Sequence, residues 1–349
     1  MSETPFQIYR TSTFLAHDPG DGHPEHSGRL KAIYRDLDGT PIAGTKSITP
    51  IAADPRRIVS VHTEDHLARV AATSGVEAVQ LDVDTATSAL SYQAALLAVG
   101  ATLQATEEVA RGNASGAFAL VRPPGHHAEA TRAMGFCLFN NVAIAADFAV
   151  RELGLSRILV IDPDVHHGNG TQQMFYDRAD VMYVSSHRFP FYPGSGWLDE
   201  TGVGAGAGYT VNLPMTAGMG DADFLHLYAT VVEPIVDQWQ PELVLVSAGF
   251  DTWHADPMGG MTMTERGFTE LFGLFHHWAK RHAGGRLVLA LEGGYDLDGL
   301  ASGVRCAIEV STGAREAIGA VDAPVSPRAV ALGNEVRREL AGRWSSLRG

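Results

Sequence analysis

The sequence has few of the features that mark secreted or membrane proteins. Only two of its 349 residues are cysteine, Cys137 and Cys306, and two cysteines cannot form a disulfide framework. No apolar run approaches the roughly 18 residues that a membrane-spanning helix needs. The segment Met1–Arg10 has no basic stretch followed by an apolar one, as a secretion signal would. We therefore expect a cytoplasmic protein with no membrane partner.

Positive charge is also scarce. Lys and Arg number 26 against 40 Asp and Glu, which gives a formal net charge of −14. A nucleic-acid-binding protein relies on many basic contacts to phosphates, so we expect no direct nucleic-acid partner. Charged residues make up only 19% of the chain and hydrophobic residues 45%, which excludes global disorder and predicts a large core.

What the sequence does contain is histidine, at 15 residues, and glycine, at 38. Short apolar runs alternate with longer segments of helical period, a pattern typical of a parallel sheet covered by helices on both faces. The predicted strands are Ala117–Val121, Ile158–Ile161, Val181–Val184, Leu243–Val246 and Leu287–Leu291. The predicted helices are Ser91–Ala110, Asn141–Glu152, Asp223–Gln240, Thr264–Arg281 and, after the linker-like Gly313–Arg328, Ala329–Arg348. We read residues 1–349 as one α/β domain.

Histidine, aspartate and tyrosine follow the ends of four predicted strands. The segments are Arg122–His127, Asp162–Gly170, Ser247–Asp251 and Glu292–Asp296. Ligands of open α/β sheets bind outside the carboxyl ends of the strands. The sequence therefore predicts one shared site at this edge.

An Asp-x-His pair, Asp164 and His166, lies in the second of these segments. In extended chain, residues two apart project to the same side, so both can bind one cation, with Asp251 as a third ligand. Two carboxylates and an imidazole suit Zn²⁺ or Fe²⁺ and leave a position for water. A turn aspartate and a buried structural histidine are the alternative reading.

Two adjacent histidines, His126 and His127, are candidates for general base and general acid beside that water. Asp162 and Asn169 are candidates to hold their second ring nitrogens. Further metal ligands or surface residues are the alternative for the pair. Tyr295 stays protonated at neutral pH and can donate a hydrogen bond to an oxyanion, although a core tyrosine is the simpler reading of that residue alone.

Together these segments resemble the histone deacetylase family, with its arginase-deacetylase fold. The resemblance covers about His17 to Thr312. The segment HHGNGT, with asparagine at position 169, is similar to the class II branch of the family and its bacterial amidohydrolase relatives. The similar stretches are RPPGHHA (122–128), GFCLFNN (135–141), DPDVHHGNGTQ (162–172), SSHRFPFYPGSG (185–196), GAGAGYTVNLP (204–214), AGFDTWHADPMGG (248–260) and LEGGYDL (291–297).

The resemblance implies a fold, a reaction and a role for each site residue. The fold is a three-layer α/β/α domain around a mostly parallel sheet of about eight strands. The reaction is zinc-dependent removal of an acetyl or other short acyl group from a lysine side chain. The implied roles are zinc ligation for Asp164, His166 and Asp251; base and acid for His127, backed by Asn169; electrostatic support for His126, paired to Asp162; carbonyl polarisation for Tyr295; substrate amide binding by Gly135; tunnel walls for Phe136 and Tyr192; and a rim contact for Asp84.

The resemblance also implies structural K⁺ sites and an internal cavity. The positions similar to K⁺ ligands are Asp162, Asp164, His166 and Ser185, and at a second site Phe175, Arg178, Val181 and Tyr209. His23 and Arg29 match residues near a cavity for acid release. Pro163 departs from the family, which has a bulky apolar residue there, and leaves local packing open.

Met258 bears on the substrate. Polyamine-selective relatives have a glutamate at this position, and a methionine cannot bind a substrate cation in its place. This favours an acylated lysine of a protein or peptide over a small acylated amine. An acetylpolyamine amidohydrolase and an acetoin-utilisation-type deacetylase remain the alternatives within enzymes, and a catalytically dead binding scaffold is the alternative outside them. Oligomeric state, including a homo-oligomer, is left open.

Overall fold

A sheet of eight parallel strands forms the centre of the protein. The computed structural model describes residues 4–319 and 321–348; Met1–Glu3, at the start of the segment searched for a secretion signal, and Ala320 and Gly349 lie outside the described residues. The strands are β1 Phe6–Tyr9, β2 Thr45–Ile48, β3 Val79–Asp82, β4 Thr85–Thr87, β5 Ala117–Ala119, β6 Ile158–Asp162, β7 Val181–Arg188, β8 Thr210–Met215, β9 Leu243–Ala248 and β10 Leu287–Leu291. The central sheet has the order β2-β1-β5-β10-β9-β6-β7-β8, and β3 pairs with β4 in a separate hairpin.

Helices cover the sheet in two groups. They are α1 Gly28–Gly39, α2 Pro55–Ile58, α3 Glu64–Ala71, α4 Ser91–Ala110, α5 Asn141–Arg151, α6 Asn169–Phe175, α7 Asp221–Leu227, α8 Glu233–Trp239, α9 Glu265–His282, α10 Leu297–Thr312 and α11 Pro327–Leu340. In one group, α4 and α5 pack against each other and contact β5 and β6. In the other, α1 packs on α10, α10 on α9, α9 on α7 and α7 on α11. This arrangement confirms the predicted three-layer α/β/α domain with its parallel sheet.

Burial explains why the central strands read as apolar runs. In β6, Ile158 and Val160 lie on one face of the sheet and Leu159 and Ile161 on the other. All four side chains are fully buried. A strand covered on both faces needs apolar side chains on both, and each such side chain stabilises the fold by about 1.5–3 kcal/mol. The small residues of α4, among them Ala98 and Ala105 at 0% exposure, let that helix pack closely on the sheet.

Several predicted elements need correction. The strand expected over Val181–Val184 runs to Arg188, and the one expected over Leu243–Val246 runs to Ala248. The helix expected over Asp223–Gln240 begins at Asp221 and is interrupted by a π-helical turn at Tyr228–Val232. The strand expected over Ala117–Val121 ends at Ala119.

The C-terminal helix expected over residues 329–348 spans Pro327–Leu340 instead. The Ser326 side chain accepts a hydrogen bond from the backbone N–H of Ala329 and Pro327 occupies the first turn, which together favour an earlier start. The chain beyond Leu340 turns so that Trp344 is buried, with its indole N–H donating to the carbonyl of Gly208 at 2.8 Å.

The sheet order explains how the site is assembled. The strands β5, β10, β9 and β6 are neighbours, and all three pairings between them are parallel. Their carboxyl ends therefore open at one edge, where the four segments with histidine, aspartate and tyrosine begin. Within the described parts of the chain, no helix is long and apolar enough to cross a membrane.

Candidate active site

The predicted metal ligands lie together at this edge. Asp164, His166 and Asp251 are buried, and one ligand atom from each lies within 4.8 Å of the others. The Nδ1 of His166 is 3.1 Å from Asp164 Oδ1 and 3.2 Å from Asp251 Oδ2. Backbone N–H groups fix the carboxylates: Gly293 donates to Asp164 Oδ2 at 2.8 Å and Val165 donates to Asp251 Oδ1 at 2.8 Å.

The chemistry of this cluster fits a divalent cation. Among the described residues, Asp251 Oδ2 is fully buried and, beyond its 3.2 Å contact with His166 Nδ1, has no hydrogen-bond partner, although a buried carboxylate oxygen ordinarily has one. Burial and the neighbouring Asp164 carboxylate raise the pKa of Asp251 to about 7. A cation would offset this charge repulsion. A Cβ on Gly293 would lie 2.2 Å from Asp251 Oδ2 and 2.6 Å from Asp164 Oδ2, so glycine keeps this space open.

His126 contacts two carboxylates. Its Nδ1 is 3.0 Å from Asp162 Oδ2, and its Nε2 is 4.0 Å from Asp164 Oδ1. Burial alone would lower the pKa of His126, but the charges of Asp162, Asp164 and Glu292 outweigh it and raise the pKa well above its usual value. The Tyr183 hydroxyl donates a second hydrogen bond to Asp162 Oδ2 at 2.9 Å. This arrangement favours a positively charged His126.

His127 has the opposite electrostatic setting. Its Nδ1 lies 2.9 Å from Asn169 Oδ1, and the partner is neutral. Burial, followed by the neighbouring His126 and His166, lowers the pKa of His127 well below its usual value. The pKa values of the two adjacent rings, whose centroids are 4.0 Å apart, are thus shifted in opposite directions, and His127 is the ring favoured as a neutral imidazole that can accept a proton.

Tyr295 is held from two sides. Burial raises the pKa of its hydroxyl well above its usual value, against the opposing effect of Arg29, so the phenol stays protonated. The Arg29 guanidinium lies 5.0 Å from the ring centroid. The backbone N–H of Tyr295 donates to Asp256 Oδ2 at 2.6 Å. Tyr295 is thereby fixed as a hydrogen-bond donor at the edge of the site.

A cavity of about 230 Å³ joins these groups. Its lining includes His126, His127, His166 and Tyr295 with the predicted substrate-binding residues Gly135, Phe136, Tyr192, Met258 and Asp84. The Phe136 and Tyr295 rings meet edge to face at 6.0 Å, and Tyr192 meets His127 edge to face at 5.1 Å. Asp84 Oδ1 accepts from the N–H of Gly135 at 3.0 Å and from the Thr85 hydroxyl at 2.8 Å. The structure brings all thirteen predicted site residues into this cavity or into direct contact with its lining.

Several residues of the site were not predicted. Phe191 stacks on His166 at 5.3 Å. Glu292 Oε2 accepts from the N–H groups of Gly125 and His126 at 2.6 and 3.2 Å. The only sequence signal was the position of Glu292 directly before Gly293, at the end of a strand. Gly125 and His126 lie more than 160 residues from Glu292 in sequence, and composition and spacing do not reveal such a contact.

Asp256 was also missed. Its Oδ1 accepts from the N–H of Met258 at 2.9 Å, and its Oδ2 accepts from Tyr295 and Asp296. One carboxylate thus ties the Met258 segment to the Tyr295 segment.

The structure also locates several of the positions similar to K⁺ ligands and to residues near an acid-release cavity. Asp162 pairs in register with Ser185 across β6 and β7, and Pro163 is buried between the two aspartates. The buried Arg29 donates to the carbonyl of Gly294 at 2.7 Å and to Glu25 at 3.0 Å. His23 meets Phe136 edge to face at 4.5 Å.

Comparisons with known proteins agree on the family. The profile described as a histone deacetylase domain matches residues 23–311. A probable deacetylase of Archaeoglobus fulgidus is 36% identical over 289 residues, which are 82% of this chain and 80% of that protein. Histone deacetylase 9 of Homo sapiens is 38% identical over 82% of this chain and 32% of its own length. Histone deacetylase 5 of Arabidopsis thaliana is 37% identical over 96% of this chain and 53% of its own length.

A solved structure agrees in fold. The crystal structure of the HDA15 HD domain superposes with a TM-score of 0.92 and 33% sequence identity, covering 99% of this chain and 97% of that one. The match confirms the predicted arginase-deacetylase fold. The chain spans about a third and about half of the human and Arabidopsis relatives. This chain belongs to the histone deacetylase family.

Proposed function

We propose that the protein is a zinc-dependent hydrolase that removes acetyl or other short acyl groups from lysine side chains. The observation that carries the proposal is the buried Asp164–His166–Asp251 cluster beside a mainly apolar cavity lined by His127 and Tyr295. The lowered pKa of His127 and the raised pKa of Tyr295 fit the roles of base and hydrogen-bond donor. Family membership supports a hydrolase that acts on acylated amines.

The residues divide the work of amide hydrolysis. Zn²⁺ bound to the cluster would lower the pKa of a water and polarise the acyl carbonyl. His127 accepts the proton of the attacking water and returns it to the leaving amine. Tyr295 donates a hydrogen bond to the oxygen that becomes negative in the transition state, and a charged His126 adds electrostatic support. The carbonyl of Gly135 accepts the N–H of the substrate amide.

The cavity supports an acylated lysine as substrate. Phe136, Tyr192 and Met258 present mainly apolar surface, which suits the alkyl chain and the neutral amide of an acyl-lysine. Met258 carries no charge to bind the distal ammonium of an acylpolyamine. The zinc ligands also suit Fe²⁺, and we propose structural K⁺ near Asp162 and Ser185.

A parallel turnover screen tests the substrate. Acetyl-lysine peptides, longer acyl-lysine peptides and acetylspermidine are assayed with the same Zn²⁺-loaded protein. We expect the acyl-lysine peptides to have a higher kcat/KM than acetylspermidine. A kcat/KM for acetylspermidine that exceeds the peptide's by tenfold would instead favour an acetylpolyamine amidohydrolase. A Met258→Glu variant serves as the comparison, and we expect it to shift the ratio towards acetylspermidine.

A further inference from the structure

The Asn169 side chain lies between His127 and a second residue, Glu129. Its Oδ1 is 2.9 Å from His127 Nδ1, and its Nδ2 donates to Glu129 Oε1 at 2.8 Å. Asn169 is 8% exposed. A side-chain amide has one accepting end and one donating end, so the orientation that satisfies one contact fixes what the other can be.

Glu129 decides which end of the amide faces His127. The carboxylate oxygen Oε1 accepts a hydrogen bond from the NH₂ end of Asn169, which turns the amide oxygen towards the imidazole. The oxygen can only accept, and the proton of a neutral His127 is therefore held on Nδ1, with Nε2 unprotonated. A flipped amide would direct an N–H donor at Nδ1 and would favour the proton on Nε2, where it blocks the base.

We propose that Glu129 is a positioning residue that selects the reactive tautomer of His127 through Asn169. The catalytic meaning of that tautomer rests on the proposed function, but the tautomer itself does not. Glu129 acts through Asn169 and does not touch the reacting atoms.

The surroundings of Glu129 fit this role. Its backbone N–H donates to the carbonyl of Arg132 at 2.9 Å, and the His62 ring nitrogen Nδ1 is 2.9 Å from its carbonyl. Its other carboxylate oxygen, Oε2, lies 3.3 Å from the half-exposed Arg132 guanidinium. The two carboxylate oxygens of Glu129 thus have separate partners: Oε2 contacts Arg132, and Oε1 accepts a hydrogen bond from Asn169.

Met134 is a second contact of the amide. Its sulfur lies 3.3 Å from Asn169 Nδ2. A thioether is a weak acceptor, and Arg132 also contacts this sulfur, at 3.0 Å. We therefore assign the orientation of the amide to the Glu129 carboxylate.

The test reads the tautomer directly. The ¹⁵N shifts of the His127 ring are recorded by NMR in the full chain labelled at histidine, with a His127→Gln variant to assign them. We expect a protonated Nδ1 in the wild type and a shift towards protonated Nε2 in Glu129→Ala. Arg132→Ala is the control, because it removes the ion pair and leaves the acceptor, and we expect it to keep the wild-type pattern. A Glu129→Ala protein that keeps the wild-type shifts would overturn the proposal.

Kinetics give a second readout. We expect Glu129→Ala to lower kcat by about tenfold with KM little changed, short of the ~10²–10⁴-fold contribution of a general base. Glu129→Gln retains an acceptor oxygen and should recover most of the loss. In an Asn169→Asp background there is no amide to orient, so Glu129→Ala should no longer lower kcat; an equal loss in both backgrounds would contradict the proposal.

The two proposals fail differently. A tautomer change in Glu129→Ala together with a wild type that cleaves no acyl-lysine peptide would support the role of Glu129 and contradict the proposed function. Peptide cleavage by the wild type, without a tautomer change in Glu129→Ala, would support the proposed function and contradict the role of Glu129.

Discussion

Replacing Gly135 by alanine should disable the proposed base in a protein that is less stable but still folded. Gly135 has a φ of +56°, and a Cβ built there lies 2.3 Å from the Cδ2 atom of His127. Ordinary contact begins at 3.4 Å, so the imidazole must move by about 1 Å, and a displacement of that size at a catalytic group costs about 10²-fold in rate.

A matched control separates this contact from backbone strain. Gly204 has a φ of +55°, and a Cβ there meets nothing within 4 Å. The left-handed conformation costs a residue with a Cβ about 1–2 kcal/mol, so Gly204→Ala should lose about that much free energy of unfolding. Gly135→Ala should lose the same amount plus the cost of displacing His127, about 1–3 kcal/mol for an overpacked site.

The assay combines urea unfolding with steady-state deacetylation of a peptide. We expect kcat to fall by about 10²-fold in Gly135→Ala and to stay near the wild-type value in Gly204→Ala. If Gly135→Ala keeps more than about a third of the wild-type kcat while it is folded, the position assigned to His127 is wrong, because a contact of 2.3 Å cannot be accommodated without moving the ring.

Four further predictions concern the same site and its support. Tyr295→Phe should lower kcat by about 10²–10³-fold, as removal of an oxyanion donor does, with KM nearly unchanged; a loss under threefold in the same peptide assay would remove Tyr295 from the reaction. Asn169→Asp places a negative charge beside His127, which raises its pKa and should move the acid limb of the kcat/KM profile to higher pH; an unmoved limb would contradict the role of His127 as base. Asp256→Asn removes a charged acceptor of the Tyr295 and Met258 backbone, so urea unfolding should show a loss of about 1.5–3 kcal/mol, and an unchanged midpoint would refute this. Burial, followed by the neighbouring His66, lowers the pKa of His62 to about 3, below the ordinary value near 6.5. The contribution of a neutral His62 to stability is therefore complete above pH 6.5 and is lost as the pH falls, by about 2 kcal/mol at pH 5. The free energies of urea unfolding at pH 5 and pH 7.5 should therefore differ less in His62→Gln than in the wild type.

The sequence predicted the centre of the fold and the components of the site better than the edges. The β10 strand and α4 helix have the predicted bounds, because wholly apolar strands and long periodic helices leave a clear pattern. The edge strand β2 is partly exposed and β8 contains Asn212 and Pro214, so neither shows an unbroken apolar run. Neither was predicted.

The supporting carboxylates could not be predicted for a different reason. Glu292, Asp256 and Glu129 bind backbone N–H groups or an amide from distant segments. The sequence does not distinguish a carboxylate that faces solvent from one that accepts a hydrogen bond from a buried N–H group. Only the three-dimensional pairing of the four strand ends identifies these partners.

The central claim is that Asp164, His166 and Asp251 hold the metal on which hydrolysis of an acyl-lysine depends. The most direct test is to measure Zn²⁺ content and acetyl-lysine peptide turnover in the wild type and in Asp251→Ala, each before and after chelation. We predict one bound Zn²⁺ and full activity in the wild type, loss of both on chelation with recovery when Zn²⁺ is returned, and neither in a folded Asp251→Ala. Turnover that survives both chelation and Asp251→Ala would contradict the account.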